Sequence, residues 1–155
     1  MWTRKQRGIR QAVIDRLRYW QGNGHVVRWV TLTSSPASGG RLRADFQALK
    51  KRIEHRFGYQ FEYACVDTRE GHGVLHMLWA LRGDSFFVPF RWLQETWKEL
   101  HGAWHVNIKD VGRGDSDARR LSRYIVAQYC GGQVGLVRFS QSRCAVPLGA
   151  MRRAW

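Results

Sequence analysis

The sequence is poor in cysteine, proline and acid, and it has no long apolar run. Three cysteines (Cys65, Cys130 and Cys144) are too few and too scattered for a disulfide framework or a zinc-knuckle spacing. A reducing, cytoplasmic setting is the simplest expectation. Apolar stretches are broken by Arg, His or Gly well before the ~20 residues a membrane span needs, so no membrane partner is expected. The basic start, Met1 to Arg10, is not followed by the apolar segment of a secretory signal. No G-x-x-x-x-G-K-[ST] loop occurs, so any unwinding activity must come from another protein.

What is abundant is positive charge. Lys and Arg number 26 against 12 Asp and Glu, a net of +14 in 155 residues. That imbalance favours a polyanion, nucleic acid first, through phosphate contacts and counterion release. The charge is uneven. Residues 1–58 hold thirteen basic and three acidic side chains, residues 59–135 hold nine of each, and residues 136–155 hold four Arg and no acid. Basic ends thus flank a neutral middle where a different chemistry can sit. The hydrophobic share of 44% is enough for one packed core.

Hydrophobic spacing predicts the elements. Thr3 to Trp20 reads as a basic helix with Ile9, Val13, Ile14 and Leu17 on one face, stopped by Gly22 and Gly24. His25 to Thr33 reads as a strand apolar on both faces. Leu42 to Phe57 is a second helix, with Leu42, Phe46, Leu49 and Ile53 inward and Lys50 and Lys51 off that face. Gln60 to Thr68 and Val74 to Leu81 form a hairpin around Gly71 and Gly73. Phe90 to His101 is a helix, and Trp104 to Val111 a strand with Trp104, Val106 and Ile108 on one face. A last helix runs from Asp115 to about Cys130, and Leu136 to Ser140 is a final strand. The order predicts an α+β fold: a ferredoxin-like βαββαβ core with an antiparallel sheet, one open face and an extra N-terminal basic helix. The open face is where such sheets place nucleic acid.

Two clusters carry chemistry. His72 and His76 lie around the hairpin with Glu62, Asp67 and Glu70 nearby, a ligand set suited to a divalent cation, Mn²⁺ or Mg²⁺, that organises a phosphate. Strand geometry separates His72 from His76 by roughly 13 Å if the strand is straight, which favours Glu62 on the neighbouring strand as a second ligand. Tyr124 and Tyr129 follow Arg119, Arg120 and Arg123 on the last helix. A tyrosine beside arginines can attack a phosphodiester and form a phosphotyrosine link. Five residues apart, the two tyrosines point roughly 140° away from each other on a helix, so at most one of them faces the site. Gln128 shares the face of Tyr124. Of the eight tryptophans, Trp29, Trp79, Trp97 and Trp104 sit at core-like positions, while Trp2, Trp20 and Trp155 are the better candidates for base stacking.

Three blocks, in order, resemble the HUH endonuclease superfamily, in particular the replication initiators (Rep proteins) of rolling-circle plasmids and single-stranded DNA viruses. They are VTLT at Val30 to Thr33, EGHGVLHMLW at Glu70 to Trp79 and RYIVAQY at Arg123 to Tyr129. The resemblance covers roughly Val26 to Gln133. It implies a basic helix over 1–24, an endonuclease-like domain over 25–135 and a basic strand and tail over 136–155. It also implies metal-dependent nicking of single-stranded DNA at an origin hairpin, with a 5′-phosphotyrosine, a free 3′-OH and a host helicase and polymerase as partners. By that resemblance His76 takes the first histidine position and Tyr124 the nucleophile position. The chain departs from the pattern twice. Leu78 stands where a second histidine is expected, leaving Glu62, Glu70, His72 or His105 to supply a ligand, and Ala127 stands where a lysine is expected. On these residues the DNA contacts are Arg119, Arg120, Arg123, Gln128, Lys50 and Lys51. The competing reading is a non-catalytic module that binds single-stranded nucleic acid on the same sheet.

Overall fold

The computed structural model describes residues 4–37, 39–58, 61–68, 71–82, 88–111 and 119–124, and the backbone of 136–141. Helix α1 (Arg4–Gly22) precedes strand β1 (His25–Thr33). A short 3-10 turn (Gly39–Arg41) leads into α2 (Leu42–Phe57), and β2 (Glu62–Thr68) and β3 (Val74–Arg82) follow. Then come α3 (Phe90–His101), β4 (Val106–Asp110), a helical stretch α4 over 119–124, and β5 (Leu136–Gln141).

The helices end where the chain can no longer continue them. Gly58 (φ 83°) and Gly102 (φ 75°) adopt the left-handed conformation that closes α2 and α3, each donating its N–H to a carbonyl of the last turn. Within α2, the buried side chains are Leu42, Phe46, Leu49 and Ile53, the stripe that helical spacing requires.

The architecture is α+β around one open antiparallel sheet in the order β4-β1-β3-β2-β5. Strand β3 is central. It pairs with β1 along its whole length and with β2 from Val74 to Ala80, and residues 74–81 are all buried. That is why VLHMLWAL is an almost unbroken apolar run rather than an alternating one.

Each face of the sheet has its own core. On one, α2 and α3 pack Phe46, Leu49, Ile53, Leu93 and Trp97 onto Val30, Leu32, Tyr63, Cys65, Leu75, Met77 and Trp79. On the other, α1 packs Ile9, Val13, Leu17 and Trp20 onto Val27, Ala64, Val66, Leu78 and Ala80. The second face, expected to be open, is therefore partly roofed. The N-terminal helix is no appendage, because the apolar stripe that made it legible needs a surface to bury against.

Two tryptophans change role. Trp20 is fully buried and donates its indole N–H to Glu62 Oε2 at 2.7 Å, so it is a core residue rather than a stacking platform. Trp104 is exposed, because β4 begins only at Val106. Val106 and Ile108 pack on the α2/α3 core as their spacing requires. Trp2 and Trp155 lie outside the described residues.

The seam between β1, α2 and α3 is held by polar links. His101, buried and stacked 4.6 Å from the Trp97 ring, lies 2.6 Å through Nδ1 from Asp45 Oδ2 and 2.7 Å through Nε2 from Ser34 Oγ. Trp97 donates its indole N–H to the Thr33 carbonyl at 2.8 Å. These contacts tie the segment after β1 to both helices.

Candidate nucleic-acid cleft

Side chains alternate along β1, β3 and β4, so each strand sends every second residue to the α1 face. Helix α1 covers that face only in part. Toward β4 it leaves a cleft of about 480 Å³, lined by Trp29 and Thr31 from β1, His76 from β3 and Asn107, Lys109 and Asp110 from β4. Helix α4 forms the other wall with Arg120, Leu121 and Tyr124. Leu121 is buried in the α1-side core and so docks α4. Arg120 and Tyr124, four apart, share the face turned to the cleft.

His76 and Tyr124, singled out from sequence on separate blocks, thus border the same cavity. His76 sits between Thr31 and Val66 in the ladder, is 6% exposed, and has Nε2 3.5 Å from Thr68 Oγ1. Tyr124 is 43% exposed and meets Trp29 edge-on, with ring centroids 4.7 Å apart. Asp110 is held by Arg28 in an ion pair of 2.9 Å. Among the described residues the cleft is thus bordered by an imidazole, a phenol, two cations and Asp110, which Arg28 pairs.

The other proposed ligands do not gather there. Glu62 shares the face of His76 but pairs with Ala80, four residues along β3, and accepts the Trp20 bond beneath α1. That offset is roughly 13 Å along a strand. His72 is exposed in the β2–β3 turn, and His105 is exposed ahead of β4. Leu78, at the missing histidine position, is fully buried under α1. Asp67 points to the opposite face, where Arg43 Nε binds it at 3.0 Å. Among the described residues no group of three or more His, Cys, Asp or Glu converges. Glu70, Tyr129 and Gln128 lie outside the described residues.

Of the expected DNA contacts, Arg119, Arg120 and Arg123 are exposed on α4, and Arg120 reaches the cleft. Lys50 and Lys51 are on α2, which packs on the other face of the sheet. Lys50 is engaged there by Glu54 at 3.0 Å and lies over the Phe61 ring. They do not join the cleft. Asn107 and Lys109 escaped the sequence reading. Their signal was present as the positions of β4 that alternate with Val106 and Ile108, but the face those positions share with His76 follows only from the strand order.

No protein-family model, curated protein or solved structure matches the chain. Among the described residues no helix is long and apolar enough to cross a membrane.

Proposed function

We propose that this protein nicks and rejoins single-stranded DNA through Tyr124, in the manner of a rolling-circle replication initiator. The observation that carries the reading is the single cleft bordered by both His76 and Tyr124. The antiparallel order β4-β1-β3-β2 supports the ferredoxin-like reading of the core. In the proposed step the Tyr124 hydroxyl loses its proton and its oxygen bonds to phosphorus. The bond from phosphorus to the 3′ oxygen breaks, and that oxygen leaves as a 3′-OH once protonated. A 5′-phosphotyrosine remains, and attack by a 3′-OH reverses the step. Arg120 and Lys109 are the cations that border the cleft, and positive charge there stabilises the charge that builds on the phosphate. The substrate is an origin hairpin, with a host helicase and polymerase completing replication.

The test is a covalent adduct. The protein is incubated with a labelled single-stranded hairpin and Mn²⁺ or Mg²⁺, then run on a denaturing gel. A shifted band that disappears in Tyr124→Phe supports the reading. A band that survives Tyr124→Phe and disappears in Tyr129→Phe moves the nucleophile to Tyr129. An adduct that persists under chelation overturns the metal dependence implied by the resemblance while leaving the tyrosine chemistry intact. Binding with no adduct over several origin sequences overturns nicking in favour of a binding module, a second reading that the burial of Leu78 favours.

A further inference from the structure

We propose that the cleft is also a base-reading pocket, which takes one unstacked adenine of single-stranded DNA against Trp29 and Tyr124 and reads its edge with Asn107. The inference rests on the single-stranded DNA reading above and adds a sequence preference to it.

Size comes first. A cavity of about 480 Å³ falls within the range of small-ligand sites, roughly 300–1,000 Å³. It is larger than a phosphate alone requires. Its lining is also of two kinds. Lys109 and Arg120 suit the sugar–phosphate backbone, but they do not account for an aromatic pair beside them. Tyr124 is exposed and Trp29 half-buried, and aromatic rings reachable in a cationic groove are what an unpaired base stacks on.

The second observation concerns Trp29. Its indole nitrogen is shielded from solvent and has no hydrogen-bond acceptor among the described residues. An indole N–H can only donate, and a buried donor left without an acceptor calls for one. A nucleotide carries acceptors on both its base and its phosphate, so an occupant of this cleft is placed to supply what the fold does not. Tyr124 is the residue whose ring now abuts Trp29, and its exposure leaves it room to turn aside.

The third is Asn107. It is exposed on β4, it lines the cleft, and it is uncharged. Its amide offers a donor and an acceptor side by side, the pairing that suits adenine N7 and N6. Asp110 follows Lys109 along β4 and so turns its side chain to the other face of the strand, where Arg28 pairs with it.

The experiment measures fluorescence anisotropy of labelled dodecamers of equal charge. One is all thymidine, one has deoxyadenosine at every third position, and one is abasic throughout. We expect the abasic strand to bind about tenfold more weakly than the thymidine strand, since only stacking is lost. The adenine-bearing strand should bind about tenfold more tightly than the thymidine strand, and that margin should vanish in Asn107→Ala. Equal affinity for abasic and intact strands overturns the pocket, as does an adenine preference that survives Asn107→Ala. The two proposals fail separately. A Tyr124 adduct formed without base preference leaves nicking standing and removes the pocket, and base preference without an adduct does the reverse.

Discussion

The two faces of the sheet close in different ways. On the α2/α3 side, polar groups at the seam find partners inside the fold: His101 binds Asp45 and Ser34, Trp97 binds the Thr33 carbonyl, and Asp67 is held by Arg43. On the α1 side, packing is complete only toward Trp20 and Leu78. Toward β4 it gives way to a cavity with Lys109 and Arg120 on its walls and Trp29 carrying an N–H that lacks an acceptor among the described residues. One face is built for stability. The other is less fully closed, with a cavity where the first has packed side chains.

Substitutions can push on that contrast. The largest effect belongs to the closed face. Trp97→Ala empties a fully buried site and removes the bond to Thr33. We expect a loss of ~3–5 kcal/mol in urea denaturation, with the protein at the edge of folding. A loss below 1 kcal/mol would show that this face is not the stabilising one.

Next comes Leu78→His, which restores the histidine expected from the resemblance. The new imidazole falls under α1 rather than into the cleft. We expect a destabilisation of about 2 kcal/mol or more from burying a polar ring, with no gain in adduct formation. Faster nicking in this variant would mean that α1 moves aside and that the α1 face is more open than its packing implies.

The smallest effect on folding belongs to the cleft. Arg120→Ala is expected to leave denaturation within about 0.5 kcal/mol of the parent. It should reduce the slope of log affinity against log salt for single-stranded DNA by about 1. Lys51→Ala, on the other face, serves as the control with no change in slope. Equal effects of the two would erase the distinction between the faces.

Much of the scaffold was legible because local rules and global packing agree. Leu42, Phe46, Leu49 and Ile53 sit at helical spacing and Gly58 stops the helix, so α2 falls where its pattern places it. The run from Val74 to Leu81 reads as a doubly buried strand and is the central one. The candidate site was legible only as fragments. His76 and Tyr124 stood out by type, but they are 48 positions apart in the chain, and only the pairing of β1 with both β3 and β4 sets the walls of their cleft. Trp20 misled because its basic sequence neighbours say nothing of Glu62, the acceptor beneath it. The Ser34–His101–Asp45 link was invisible for a similar reason. It joins three elements across a seam whose geometry belongs to the packed helices.

Strand β4 terminates the sheet with five residues, and Asn107, Lys109 and Asp110 along it all meet water. A rim so short and so charged is a poor template for the backbone of another molecule, and proteins use such rims to avoid aggregation. Crowded copies of this chain are thereby discouraged from fusing their sheets at the strand that borders the cleft.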